Sequence, residues 1–145
     1  MSRLSKIFWL ISLILVFLVI LSACQSDDST QTESENEKIA ALFMGPTTDE
    51  SWNQFGLDGV KKAEEDCGIE YAFTENVKQT EFDETMRNYA QEGYSTILGH
   101  SGTFTDSAKK IASEFPNTNF IVVNAIEGNG SNMGGIYGDY WQMGY

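Results

Sequence analysis

The sequence is poor in the residues that most often build catalytic and metal sites. Its 145 residues include one histidine, His100, and two cysteines, Cys24 and Cys67. Zinc sites are built from several Cys, His or carboxylate ligands, and a hydrolytic triad needs a histidine from elsewhere in the fold than its nucleophile. These scarcities argue against a metalloenzyme and a Ser-His-Asp hydrolase. We predict that the chain is not an enzyme and holds neither a metal nor a cofactor.

Basic residues are the second scarcity. Nine Lys and Arg stand against 21 Asp and Glu, and the formal net charge is −12 at pH 7. Such a chain repels the phosphates of nucleic acids, so we expect no nucleic-acid partner. The acidic charge indicates nothing specific about a small-molecule ligand.

The N-terminal residues have the features of a bacterial lipoprotein signal. Arg3 and Lys6 precede the apolar run Ile7–Leu21, and Ser22, Ala23 and Cys24 follow it. Signal peptidases need small side chains before the cut, and a cysteine directly after it resembles the lipobox. That resemblance implies that Cys24 is lipidated and anchors the protein on the extracytoplasmic face of the cell membrane. An uncleaved membrane anchor is the alternative, but the apolar run is shorter than the roughly 20 residues of a spanning helix.

Composition divides the chain into three regions. Residues 1–23 are predicted to be the signal peptide, and residues 24–37 a flexible polar tether, because they carry almost no apolar surface to bury. Residues 38–145 are predicted to form the folded part. Cys67 lies on the predicted apolar face of a helix, so we expect it to be a small buried hydrophobic residue.

Apolar runs of strand length alternate with segments of helical periodicity through the folded part. The predicted strands are Ile39–Met44, Ile69–Thr74, Ser95–Leu98, Phe120–Asn124 and Gly134–Tyr137. The predicted helices between them begin at Ser51, Thr80 and Thr103. Strands and helices that alternate with short connections predict an α/β fold, a parallel sheet of order 2-1-3-4-5 with helices on both faces.

The first predicted helix has the clearest boundaries. Ser51 and Gln54 fit a capping box at its start, and Gly68 is suited to the left-handed conformation that ends a helix. The residues expected to face the sheet are spaced at helical intervals: Trp52, Phe55, Gly59, Val60, Ala63 and Cys67.

In a sheet of this order, ligands bind beyond the carboxyl ends of the strands, at the switch point between the first and third strands. Three segments are predicted to meet there, namely the loops Gly45–Ser51 and Gly99–Thr103 and the residues around Asn124. Trp52, at the start of the first helix, is either a core residue or an aromatic platform for a planar ligand. Asp49 and Ser51 either act only as caps of the helix, or Asp49 and Asn53 form a pair beside Trp52 that makes hydrogen bonds with that ligand.

The segment Gly99–Thr103 contains His100 and Ser101 and briefly resembles a nucleophile elbow. The resemblance fails because Thr103 replaces the final glycine and the only histidine is next to the serine. Two interpretations stay open. The segment is either a plain capped turn, or a turn whose backbone amides, Ser101 and Thr103 face a ligand.

Several stretches together resemble the basic membrane protein (BMP) family of lipoproteins. Besides the lipobox, they are Asp49–Gln54, Gly99–Ser101, Phe115–Ile121, Gly135–Tyr137 and Gly144-Tyr145. Members of this family are substrate-binding proteins of ABC importers, including purine nucleoside receptors. The resemblance covers roughly residues 38–145 and only the front part of a family member. It implies a type I periplasmic-binding fold, in which two α/β lobes enclose a ligand and this chain supplies most of the first lobe.

The resemblance also implies a ligand and a set of contacts. In nucleoside-binding members an aromatic residue at the position of Trp52 stacks on the base. An aspartate that holds the ribose hydroxyls corresponds to Asn124, which carries no charge. The implied ligand is a nucleoside or a similar small polar molecule, and the implied protein partner is an ABC permease. The implied ligand contacts are Asp49, Trp52, Asn53, His100, Ser101 and Asn124.

A second function is implied within the same family. Val77-Lys78, Leu98–His100 and Val123–Ala125 are similar to the Med-like lipoproteins. That similarity implies a surface regulatory lipoprotein, a positive regulator of competence, with the same fold and no transport role. Asp139 begins a segment of helical pattern that is too short to be stable alone. We therefore expect the chain to be the first portion of a longer polypeptide.

Overall fold

The computed structural model describes residues 37–138, so the predicted signal, Cys24, nearly all of the tether and the segment from Asp139 lie outside the described residues. The strands are β1 (Lys38–Leu42), β2 (Glu70–Thr74), β3 (Thr96–Gly99), β4 (Asn119–Val123) and β5 (Met133–Ile136). The helices are α1 (Trp52–Cys67), α2 (Phe82–Gln91) and α3 (Thr105–Glu114), with short 3-10 turns at Gln79–Glu81 and Gly102–Phe104. Within this range no helix is both long and apolar enough to cross a membrane.

The five strands form one parallel sheet in the order β2-β1-β3-β4-β5, which confirms the predicted α/β architecture and strand order. The register pairs Leu42 of β1 with Gly99 of β3, and Gly99 with Val122 of β4. The carboxyl ends of the three central strands therefore lie at one edge of the sheet. That edge is where the predicted ligand-binding loops emerge.

The two faces of the sheet are covered unequally. Successive residues of a strand point to opposite faces, so Ala40 and Leu42 face one side and Ala41 and Phe43 the other. The larger core contains the first pair and the apolar residues of α2 and α3, including Met86 and Ile111. The smaller core contains the second pair with Leu57 and Val60 of α1, against Tyr71 and Leu98. Helices on both faces were predicted, and this arrangement confirms them.

The predicted inward face of α1 was partly wrong. Val60 is buried as expected, but Phe55 is 69% exposed and Cys67 is also exposed. The residue that joins Val60 in the core is Leu57. The helix is turned so that Leu57 and Val60 face the sheet. Phe55 lies two residues before Leu57 and is therefore on a different side of the helix. The expectation of a buried Cys67 is therefore corrected.

Two of the predicted helix starts differ from the structure. Thr80 does not cap α2, because it lies inside the 3-10 turn that precedes that helix. Thr103 likewise lies within the 3-10 turn that precedes α3, and Ser101 is the N-cap of that turn. At the end of α1 the prediction was correct, since Gly68 adopts φ 69° in the left-handed region. A tight 3-10 turn and an N-cap use the same small polar residues, so sequence alone separates them poorly.

Candidate functional site

Asp49 organises the start of α1. Its Oδ1 accepts hydrogen bonds from the backbone N–H groups of Ser51 (3.0 Å) and Gln54 (3.0 Å). Its Oδ2 accepts from the backbone N–H (3.1 Å) and the side-chain Nδ2 (2.8 Å) of Asn53. The Ser51 side chain makes no capping bond, so the predicted capping box is wrong and Asp49 is the cap. A carboxylate suits this position because it faces several unpaired N–H groups and the positive end of the helix dipole.

The same contacts set the charge of Asp49. Burial acts to raise the pKa of its carboxyl, but the hydrogen bonds from Gln54, Asn53 and Ser51 outweigh this and lower the pKa below its usual 3.8. Asp49 is therefore a carboxylate at neutral pH. Its role as a cap also fixes the amide of Asn53, whose Nδ2 points at Asp49. Gly45 lets the loop after β1 pass close by, since a Cβ there would lie 2.8 Å from Nδ2 of Asn53.

Trp52 and His100 form two reciprocal hydrogen bonds between the start of α1 and the end of β3. The indole Nε1 of Trp52 donates to the backbone oxygen of His100 at 3.1 Å. The imidazole Nε2 of His100 lies 2.9 Å from the backbone oxygen of Trp52. The two rings are stacked, with centroids 4.5 Å apart and an interplanar angle of 24°. We call this unit the Trp52–His100 pair.

The two residues of the Trp52–His100 pair differ in how much of each is exposed to solvent. His100 is 8% exposed, whereas Trp52 remains 40% exposed. A carbonyl oxygen only accepts hydrogen bonds, so Nε2 of His100 carries the proton in the Trp52–His100 pair. Burial lowers the pKa of His100 below its usual 6.5, and the bond to the Trp52 carbonyl and the charge of Asp49 oppose this only in part. The imidazole is therefore neutral at pH 7.

Ser101 and Asn124 lie in a second group at the same edge. The Ser101 Oγ accepts from the backbone N–H of Thr103 at 3.3 Å, as expected of a capped turn. The following residue, Gly102, runs against the end of β4, where a Cβ would lie 2.7 Å from the backbone oxygen of Asn124. Asn124 itself has φ 61°, a left-handed conformation that asparagine tolerates better than most residues, and its N–H donates to the oxygen of Ile136 at 2.7 Å.

An open cleft of about 280 Å³ lies beside this second group, and it was missed from the sequence. The start of α3 and the segment after β4 line it, with Thr105, Asp106, Asn124, Ala125, Ile126 and Glu127. Lys109 forms an ion pair with Glu127 at its border. Thr105 and Asp106 begin the helix that follows β3, so they lie at the carboxyl edge of the sheet. This position in the sequence could have identified them as residues of the cleft.

The structure thus places the six predicted ligand contacts in two neighbouring groups. Asp49, Trp52, Asn53 and His100 form the first, and Ser101 and Asn124 form the second. Direct contact of these residues with a ligand stays a prediction. Among residues 37–138, no group of three His, Cys, Asp or Glu side chains could hold a metal ion.

A parallel sheet of this order, with polar loops gathered at its carboxyl edge, is a doubly wound α/β fold, and lobes of the periplasmic-binding-protein type have this arrangement. The sequence comparisons identify the family. The chain belongs to the Bmp family of PnrA-like ABC transporter substrate-binding proteins, whose family model matches residues 36–145. This confirms the resemblance seen in the sequence.

Individual relatives agree with this assignment. Basic membrane protein A1 of Borrelia garinii subsp. bavariensis is 26% identical over 117 residues, which are 81% of this chain and 34% of that protein. The chain therefore spans about a third of the length of this curated relative.

Solved structures show the same fold. A solute-binding protein of an ABC transporter system from Conexibacter woesei matches with a TM-score of 0.66 and 22% identity, over 75% of this chain and 37% of that one. A transcriptional activator of the comK gene from Bacillus halodurans matches with a TM-score of 0.58 and 18% identity, over 68% of this chain and 33% of that one. At these identities the likeness extends to the fold alone.

The lowered pKa of His100 predicts how stability depends on pH. In the unfolded chain the imidazole gains its proton near pH 6.5, whereas in the folded chain it does so only at lower pH. The unfolded state therefore binds more protons in this interval, and the free energy of unfolding should fall as the pH drops from 7 towards 5. Urea denaturation at a series of pH values measures this change.

The control for this prediction is His100→Gln, which removes the titrating group and should flatten the dependence between pH 7 and 5. Carboxylates with lowered pKa, such as Asp49 and Glu75, lose their stabilising charge mainly below about pH 5, and they contribute equally to the unchanged protein and the variant. An equally steep loss of stability in the variant over this interval would contradict the assignment to His100.

Proposed function

We propose that this chain forms the first lobe of a lipid-anchored solute-binding protein that binds a nucleoside or a similar small polar ligand and delivers it to an ABC permease. Membership of the substrate-binding family supports the capture of a small solute. The observation that carries the choice of ligand is the exposure of Trp52 at the carboxyl edge, where α/β sheets bind their ligands.

Trp52 is suited to a planar ring. One face of the indole lies on the imidazole of His100, its Nε1 is hydrogen-bonded, and 40% of the residue is still accessible. Aromatic stacking is tolerant of the identity of a base, because every base presents a π surface. The polar groups near Trp52 and Asn124 would then recognise the hydrophilic part of the ligand, as in most small-molecule sites.

The proposal requires a second lobe, because the first lobe offers an open edge. Two-lobed binding proteins close around their ligand, and the ligand stabilises the closed form by contacting both lobes. The closed form would be the species that the permease recognises. The length of the curated relative, of which this chain spans 34%, leaves room for such a lobe.

Calorimetric titration of the full-length protein with adenosine, guanosine and inosine tests the ligand. We expect binding of at least one of them, and we expect Trp52→Ala to weaken it about 5- to 150-fold, as for loss of a base–aromatic stack of about 1–3 kcal/mol. Trp52→Phe should retain most of the affinity because it keeps a π surface.

The matched control is Phe55→Ala on the same helix, since Phe55 is 69% exposed and lies outside both cores. Its affinity should equal that of the unchanged protein. The absence of heat with any nucleoside would count against a nucleoside ligand. Equal loss in both variants would count against stacking at Trp52.

Lipid anchoring belongs to the same proposal. Small residues before Cys24 and a basic start before an apolar run support it. More than one acyl chain is needed for stable attachment, because a single chain binds membranes only marginally. Mass spectrometry of the membrane fraction should find a mature protein that begins at a lipidated Cys24, and an intact Met1 in that fraction would contradict the proposal.

A regulatory lipoprotein without a transport role is the second candidate. The similarity of Leu98–His100 and Val123–Ala125 to Med-like lipoproteins favours it, and the described comK activator has the same fold. The strongly acidic composition favours an indirect effect over contact with DNA. The two candidates differ in one requirement, since a transport protein needs a permease and an ATPase, whereas a regulator needs a protein partner.

A further inference from the structure

Three contacts join Trp52 to a single residue, His100. The start of a surface helix would ordinarily leave a large, 40% exposed side chain free to change rotamer. Here the indole N–H is bonded to the oxygen of His100, and the ring lies flat on the imidazole. The return bond from His100 to the Trp52 backbone fixes the base of the same side chain.

His100 is itself fixed by contacts with β1 and with the residue that follows this strand. Its backbone N–H donates to the oxygen of Leu42 at 3.0 Å, which continues the pairing of β1 with β3 past the end of the strand. Its ring also packs against Phe43, with centroids 5.3 Å apart and an interplanar angle of 60°. The imidazole therefore forms a fixed layer between the core residue Phe43 and the exposed Trp52.

Helix α1 leaves space for this layer at one position. A Cβ at Gly56 would lie 2.5 Å from Nε2 of His100, the atom that bonds to Trp52. Glycine is less favourable in a helix than alanine, so its presence in the second turn has a steric reason. Gly59, one turn later, meets nothing within 4 Å and provides a comparison.

We propose that His100 is a positioning residue, which acts on the ligand through Trp52 by fixing the plane of the indole, with Gly56 providing the space. The role in binding rests on the proposed function, whereas the orientation of Trp52 does not. A histidine supplies two properties together, a flat ring for the stack and an Nε2 donor for the Trp52 carbonyl. The conservative replacements separate them, because Gln keeps a donor without a ring and Phe keeps a ring without a donor.

The first test needs no ligand. In ¹H–¹⁵N spectra of the chain, the indole N–H of Trp52 is assigned by its loss in Trp52→Phe, since Trp9 and Trp141 give the other indole signals. Both His100→Gln and Gly56→Ala keep the backbone oxygen of residue 100 that accepts from the indole, but they remove or displace the imidazole on which the indole ring lies. The indole should then leave this hydrogen bond more often, and solvent exchange of its proton should rise about fivefold to tenfold in both variants. Gly59→Ala should leave it unchanged. Unchanged exchange in both of the first two variants would overturn the proposal.

A second measurement of the His100–Trp52 contact uses the unchanged chain, so its result does not depend on whether any variant folds. The ¹⁵N shifts of the His100 ring should show a neutral imidazole with its proton on Nε2, and cross-peaks should join the ring to the Trp52 indole. A proton on Nδ1, or a lack of cross-peaks between the two rings, would overturn the proposal. A residue that merely filled core space would not require either signature.

The second test uses the full-length protein and the nucleosides. Where the unchanged protein binds one of them, Gly56→Ala and His100→Phe should weaken binding about tenfold, because a displaced indole loses part of its stacking with the base. Gly59→Ala should leave the affinity unchanged. Equal affinity in all three variants would overturn the role in binding. If no nucleoside binds the unchanged protein, the proposal of a nucleoside ligand fails, and the exchange and tautomer measurements still decide the positioning role.

Discussion

The geometry of the candidate site depends on the reciprocal hydrogen bonds between Trp52 and His100. One partner begins α1 and the other follows β3, so the bonds join two loops that the chain separates by 48 residues. Each bond satisfies a polar group that would otherwise lie partly buried and unpaired, which is costly. The stacked rings then convert the end of the sheet into a rigid surface, with a neutral buried imidazole beneath an exposed indole.

The surrounding contacts are consistent with a preorganised site. Asp49 uses both carboxylate oxygens to fix the first turn of α1 and the amide of Asn53, so this carboxylate holds the helix on which Trp52 stands. Gly45 and Gly102 let loops approach where a Cβ would collide with Asn53 or Asn124. Rigid polar groups and an aromatic surface lower the entropic cost of binding, since few side chains have to be ordered by the ligand. The first lobe therefore supplies a shaped half-site.

Much of this fold was predictable because its signals are local. Apolar runs separated by helical segments predict the strands, and short connections with right-handed crossovers restrict the sheet order. The side of α1 that faces the sheet was less predictable, because apolar residues occur on more than one side of this helix. Leu57 is buried, whereas Phe55, two residues earlier, is exposed. Asp49 and Ser51 are both good caps, and only the loop conformation decides between them. The Trp52–His100 pair follows from the register of β1 and β3, which no local pattern of residues near either position reveals.

The most direct measurement is a crystal structure of the full-length protein with the nucleoside that calorimetry selects. We expect the base to stack on the face of Trp52 opposite His100, with both hydrogen bonds of the Trp52–His100 pair intact and the sugar towards Asn124. A ligand bound away from this edge of the sheet, or an indole turned off the imidazole to receive it, would show that the Trp52–His100 pair is not the binding surface.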